Sequence, residues 1–105
     1  EIEIFESYPG CRNDPAMAEL VRRAAGEVLG RENVLELAEP SLGTDDFGYF
    51  SDAAPGCYYY IGVGNEAKGF TCPNHNPRFA ADPEALPLAA AIHVQCVLEY
   101  LGEQP

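Results

Sequence analysis

The segment Cys72-Pro73-Asn74-His75-Asn76-Pro77-Arg78-Phe79 holds the side chains best suited to chemistry in this chain. His75 stands between two asparagines and just ahead of a proline, in polar sequence beyond a strongly apolar stretch. A neutral imidazole placed this way can be offered to a metal ion without burying the loop that carries it. A solvated loop histidine explains the same residues, and the pattern alone leaves both readings open. Cys72-x-x-His75 has half the spacing of a structural zinc site, but no second pair completes it. The same pair could be a thiol and its base, yet no third group is placed to orient the imidazole. His93 falls inside an apolar helical stretch and is expected to be a half-buried packing residue with one nitrogen satisfied.

Gly43-Thr44-Asp45-Asp46 is a second place where chemistry could occur. It precedes a short helical segment, so Thr44 as a cap and two carboxylates near the positive end of the dipole explain it structurally. Free N–H groups at the same point could instead hold an anionic substrate group or an oxyanion. Gly62-x-Gly64 and Gly64-x4-Gly69 look like phosphate loops, but no helix starts after them. Phe70 also stands where such a loop requires lysine, so nucleotide binding is not expected.

These residues need elements to hold them. Glu1 to Glu6 alternates charged and branched or aromatic residues, the period of a strand with one wet face. Asn13-Asp14-Pro15 starts a helix with Asp14 as cap and Pro15 at the first helical position. Met17, Leu20, Val21, Ala24 and Val28 follow at helical spacing, and Gly30 ends the element. Val34 to Ala38 is a short strand pattern, and Asp45 to Ala53 a short helix. Tyr58 to Val63, aromatic and unalternated, predicts a central strand buried on both faces. A long loop spans Gly64 to Ala81, and loops of that length are usually functional or disordered. Asp82-Pro83 repeats the cap-plus-proline start, with one turn to Leu86 and a main helix from Pro87 to Leu101. The expected fold is α/β: a βαβαβα layered domain with a small mixed sheet.

Composition narrows the class. The chain has 105 residues, 47% of them hydrophobic, which suits one globular core rather than disorder. Six basic against seventeen acidic side chains give a net charge of −11, so nucleic acid and anionic membrane surfaces are not expected partners. No apolar run approaches the roughly 20 residues that span a bilayer, and no export signal is visible. The four cysteines are 46, 15 and 24 positions apart and form no framework, which predicts a reduced, cytoplasmic protein. The chain opens on Glu1, inside a strand pattern already under way, as a piece of something longer would.

Several segments in register resemble a known family. They are Tyr8-Pro9 with Asn13-Asp14-Pro15; Gly43-Thr44-Asp45-Asp46-Phe47; Pro55-Gly56-Cys57-Tyr58-Tyr59-Tyr60-Ile61-Gly62; His75-Asn76-Pro77-Arg78-Phe79; and Asp82 with Ala85-Leu86-Pro87 before an apolar helix. In this order they resemble the C-terminal part of the M20 metallopeptidases. The likeness is to the amidohydrolase branch of hippurate hydrolases, indole-acetyl-amino-acid hydrolases and N-acyl-amino-acid deacylases, and covers about Glu1 to Leu101.

The resemblance implies a divalent-metal hydrolase (Zn, Mn, Co or Ni) that cleaves the amide of an N-acyl amino acid. It implies a single domain over 1–105 that is the end of a larger catalytic domain. Residues 1–8 match a strand returning from an inserted domain, and residues 13–105 the last stretch of the catalytic domain. His75 matches the family's C-terminal metal-binding histidine, and Gly43, Thr44 and Asp45 match a motif beside the active site. Asp45 departs from it, standing where glutamate is usual. The remaining ligands and the general base belong to the upstream remainder of the catalytic domain, so the chain alone is expected to be inactive. Its exposed sheet edge and apolar face are expected to cause self-association. The alternative is a free-standing non-catalytic module, derived from the same fold, that binds a protein or small ligand.

Overall fold

Asp14 opens the first helix through its carboxylate. Its Oδ1 accepts the N–H groups of Ala16 at 2.9 Å and Met17 at 3.0 Å, and Pro15 takes the first helical position. In this computed structural model, which describes residues 1–5 and 7–102, α1 runs Pro15–Leu29 and ends where Gly30 adopts φ 85°. A glycine fits there because a Cβ would meet the Glu32 carboxylate and the positive φ at once. α2 covers Phe47–Ala53 and α3 covers Ala85–Gly102, with 3-10 turns at Arg31–Asn33 and Glu66–Lys68. Pro87 does not split the last helix. It lies in the first turn of α3, where no N–H is required of it, so one continuous helix begins at Ala85.

The core is the seam between α1 and α3. Leu20, Ala24 and Ala25 from α1 and Ile92 from α3 are its buried apolar residues. The two alanines let the helices approach, and Arg23 Nε reaches Glu99 Oε2 across the seam at 3.3 Å. Elsewhere α3 stays bare: Val94, Val97, Leu98 and Leu101 are each more than half exposed. With a mean hydropathy of 1.4 over 18 residues, α3 is long and apolar enough to cross a membrane. That corrects the expectation that no segment qualifies. Its packing on α1 and the Glu99 pair set one side of it against protein.

The expected mixed sheet is not formed. Among the described residues the only β pairing is one isolated antiparallel bridge, Asn65 with Phe70. The βαβαβα reading is therefore overturned, and among the described residues the strand patterns within Glu1–Glu6, Val34–Ala38 and Tyr58–Val63 join no ladder. Glu6 lies outside the described residues. The physical reason is that alternation and aromatic content report a surface suited to a sheet, whereas a ladder also needs a neighbouring strand. None of the three finds one among the described residues. Ile2, Ile4 and Phe5 are more than 80% exposed, as an unpaired edge leaves them. The radius of gyration, 16.2 Å, exceeds the roughly 13 Å of a closed domain of this length.

Segment 56–63 is instead gripped at its two ends. The Gly56 carbonyl accepts Asp14 N–H at 2.9 Å, and the Val63 carbonyl accepts Asp82 N–H at 2.9 Å. Asn13 adds a side-chain substitute for a strand. Its Nδ2 donates to the Tyr58 carbonyl and its Oδ1 accepts Tyr58 N–H, both at 2.8 Å. The rings then form a row, Phe50, Phe47, Tyr58, Tyr60, with neighbouring centroids 5.5–6.0 Å apart, the first pair stacked, the second tilted and the third edge-on. Gly48 lets α2 close on Pro9, whose carbonyl oxygen would lie 2.6 Å from any Cβ placed there.

Asn13→Ala removes both bonds to Tyr58 and should lower stability by about 1–2 kcal/mol. Asn13→Asp loses the donor, sets a carboxylate against the Tyr58 carbonyl and should cost at least as much. Urea unfolding followed by circular dichroism reads both.

Candidate functional site

The loop 64–81 is built from its base outward. Asn65 and Phe70 exchange backbone bonds of 2.9 Å, and the 3-10 turn between them closes on Gly69 at φ 83°. Asp82, at the far end of the loop, is the one buried charged residue among those described. Its Oδ2 accepts Asn65 Nδ2 at 2.7 Å and Lys68 Nζ at 3.1 Å, and its Oδ1 accepts Glu84 N–H at 3.1 Å. These donors hold the carboxyl below its ordinary range, the Asn65 amide first, then the Glu84 N–H. Lys68, bonded to Glu84 and Asp82, is held above its own.

The tip of the loop is ordered by local turns. Asn76 N–H donates to the Pro73 carbonyl (3.2 Å), Phe79 N–H to the Asn76 carbonyl (2.9 Å), and Arg78 N–H to Asn76 Oδ1 (2.9 Å). Between these turns His75 adopts φ 66°, the one positive φ outside glycine among the described residues. Such a backbone costs on the order of 1–2 kcal/mol in an L-residue, and strain of this kind gathers at functional sites. The His75 ring is exposed and makes no hydrogen bond within the described chain, so both nitrogens are free for a ligand. It lines an open cavity of about 600 Å³ with Tyr59, Tyr60, Asn74 and Phe79.

Gly43, Thr44 and Asp45 do not line that cavity. All three are exposed ahead of α2. The Gly43 N–H donates to Ser41 Oγ at 3.2 Å. Thr44 is not the cap. The cap position is Asp46, whose side chain makes no cap bond; the Asp45 carboxylate one residue earlier accepts Phe47 N–H through Oδ1 at 2.8 Å, and α2 starts at Phe47 rather than at 45. Asp45 Oδ2 also accepts the Tyr58 hydroxyl at 3.3 Å, and its negative charge raises the Tyr58 phenol. A path of contacts thus runs from Asp45 to Tyr58, on to the Tyr60 ring at 5.6 Å, and so to the wall of the cavity beside His75. An anionic group at Gly43–Thr44 would meet the charge of Asp45, which limits what could bind there.

The other candidates resolve simply. Burial raises the Cys57 and Cys96 thiols, the wrong direction for a nucleophile. His93 is exposed rather than half-buried, with its Nδ1 2.9 Å from the Ala89 carbonyl and the Tyr59 hydroxyl 3.2 Å away. Among the described residues no three His, Cys, Asp or Glu side chains converge to hold an ion. One imidazole and its asparagine neighbours do not make a tight metal site.

The sequence pattern missed Asp82, Asn65 and Lys68 as partners. Asp82-Pro83 signals a helix start, and that signal is correct. Nothing in it reveals that the same carboxylate reaches back 17 residues.

Comparison with known proteins places these features in a family. The model of peptidase family M20/M25/M40 matches residues 1–99. The chain is 32% identical over 96 residues to IAA-amino acid hydrolase ILR1-like 4 of Arabidopsis thaliana, covering 91% of this chain and 22% of that protein. It is 34% identical over 101 residues to thermostable carboxypeptidase 1 of Saccharolobus solfataricus, covering 95% and 25%. The chain thus spans about a fifth to a quarter of the length of these relatives. No solved structure matches it significantly.

The lowered Asp82 pKa gives this site a pH dependence. A carboxyl whose folded pKa lies below its unfolded value of about 3.8 stabilises the fold fully above that value. The contribution is lost as pH falls through the lowered folded pKa. Amide protection in loop 64–81 should therefore be flat from neutral pH to about pH 5 and decline below about pH 4. Hydrogen exchange across that range reads it.

Proposed function

Because the chain belongs to peptidase family M20/M25/M40, we propose that it supplies one metal ligand, His75, to a hydrolase that cleaves the amide of N-acyl amino acids. Enzymes of this family are generally dependent on divalent metal. The observation that carries the reading is the state of His75: unbonded, at the cavity wall, in a left-handed backbone on an otherwise well-bonded loop. The substrate class rests on the relatives. One is named for hydrolysing an IAA–amino acid conjugate and another as a carboxypeptidase, and both names describe cutting an amide to an amino acid. Tyr60 and Phe79 give the cavity an aromatic lining suited to an apolar acyl group, with Asn74 as a polar neighbour. Gly43, Thr44 and Asp45 contribute a more distant substrate contact, relayed through Tyr58.

The remaining ligands and the base that deprotonates water come, in this reading, from polypeptide outside these 105 residues. That polypeptide covers the bare side of α3 and pairs with segment 59–62. Alone, the chain self-associates through the same surfaces. The four free thiols, three of them half-buried, fit a reducing cytoplasm.

The 105-residue chain should release no amino acid from N-acyl substrates above background with Zn, Mn, Co or Ni; turnover would overturn the division of labour. In the longer enzyme His75→Asn should cut bound metal and activity by about a hundredfold or more, while the unfolding midpoint barely moves, because asparagine tolerates the left-handed backbone. Unchanged metal content would remove His75 from the site. Sedimentation of the 105-residue chain should show mass rising with concentration.

A further inference from the structure

Asp82 makes more contacts than a helix cap requires. A cap needs one side-chain oxygen on an N–H at the helix start, and Oδ1 on the N–H of Glu84, the residue just ahead of α3, serves that purpose. Oδ1 also accepts Lys68 Nζ at 3.2 Å, and the other oxygen is committed elsewhere. Oδ2 takes Asn65 Nδ2 at 2.7 Å and Lys68 Nζ at 3.1 Å, and the Asp82 N–H holds the Val63 carbonyl at 2.9 Å. One residue therefore joins both ends of loop 64–81, while Asn65 carries the join inward through its pair with Phe70. Among the described residues no hydrogen bond ties the tip, 72–80, to the rest of the chain; its own bonds run only between tip residues. The place of the tip is set by what fixes its ends.

We infer that Asp82 is a positioning residue, clamping the two ends of the loop so that His75 is presented at the cavity wall. The inference rests on His75 being the functional group of this loop, although the clamp itself does not. Lys68 divides its charge between Asp82 and Glu84, at 3.1 and 2.9 Å, and so braces the clamp from the solvent side. Removing the carboxylate while keeping a cap oxygen separates the two roles. Asp82→Ser retains a hydroxyl for the Glu84 N–H but is too short to meet Asn65 and Lys68.

The chain contains two histidines, which makes the test internally controlled. In carbon–proton spectra of the full chain, the His75 ring cross-peak should move to the random-coil position in Asp82→Ser, while that of His93 on α3 stays. Hydrogen exchange over 64–81 should rise about tenfold or more, as expected for lost charge-assisted bonds, with 15–29 and 85–101 within about twofold of the parent chain. Lys68→Met, which leaves the cap and the Asn65 bond intact, should produce a smaller change of the same sign. An unmoved His75 signal in both variants, or His75 and His93 shifting together in Lys68→Met, would overturn the inference. Metal content of the longer His75→Asn enzyme decides separately whether the presented ring is a ligand.

Discussion

The peptide groups of Tyr59 to Gly62 have no partner among the described residues, and much of the molecule's shape follows from that. A backbone N–H or C=O set among apolar rings must find a donor or acceptor, or remain open to water. This segment is satisfied only near its ends, by Asp14, Asn13 and Asp82. The chain accordingly assembles as two helices packed on each other, with the aromatic segment strung beside them. The 22 Å thickness against 54 and 43 Å describes a layer rather than a globule. One bare face of α3 and an unpaired strand pattern belong to the same incompleteness: each lacks a neighbour that these residues do not provide.

Helices were legible in the sequence because their signals are local. Asp14-Pro15 and Gly30 bound α1 within a few residues of the bonds they describe, and the spacing of Leu20 and Ala24 marks the face that α3 covers. The sheet was not legible in the same sense. Tyr58 to Val63 has the composition of a central strand, but composition cannot supply the adjacent strand on which a ladder depends. Pro87 misled for a related reason. Its cost depends on its position within the helix, and two residues of earlier start remove it.

Of the candidate site, His75 was legible by its setting, and its left-handed backbone adds what no sequence pattern displays. Gly43, Thr44 and Asp45 were found ahead of a helix start, but it is the Asp45 carboxylate, not Thr44, that bonds the first helical N–H, and the cavity lies elsewhere. The long-range carboxylate contacts of Asp82 were invisible. They join residues 14 and 17 positions apart, and only the path of the loop brings them together.

Both Asp-Pro pairs do the same two jobs, each starting a helix and each holding one end of segment 56–63 by its own N–H. The aromatic strip is therefore tethered like a bowstring between the leading ends of the two long helices. Any sliding of α3 along α1 must be felt as a pull on Tyr58 to Val63, and through them on the cavity wall. The helix seam and the wall of the open cavity are in that way mechanically linked.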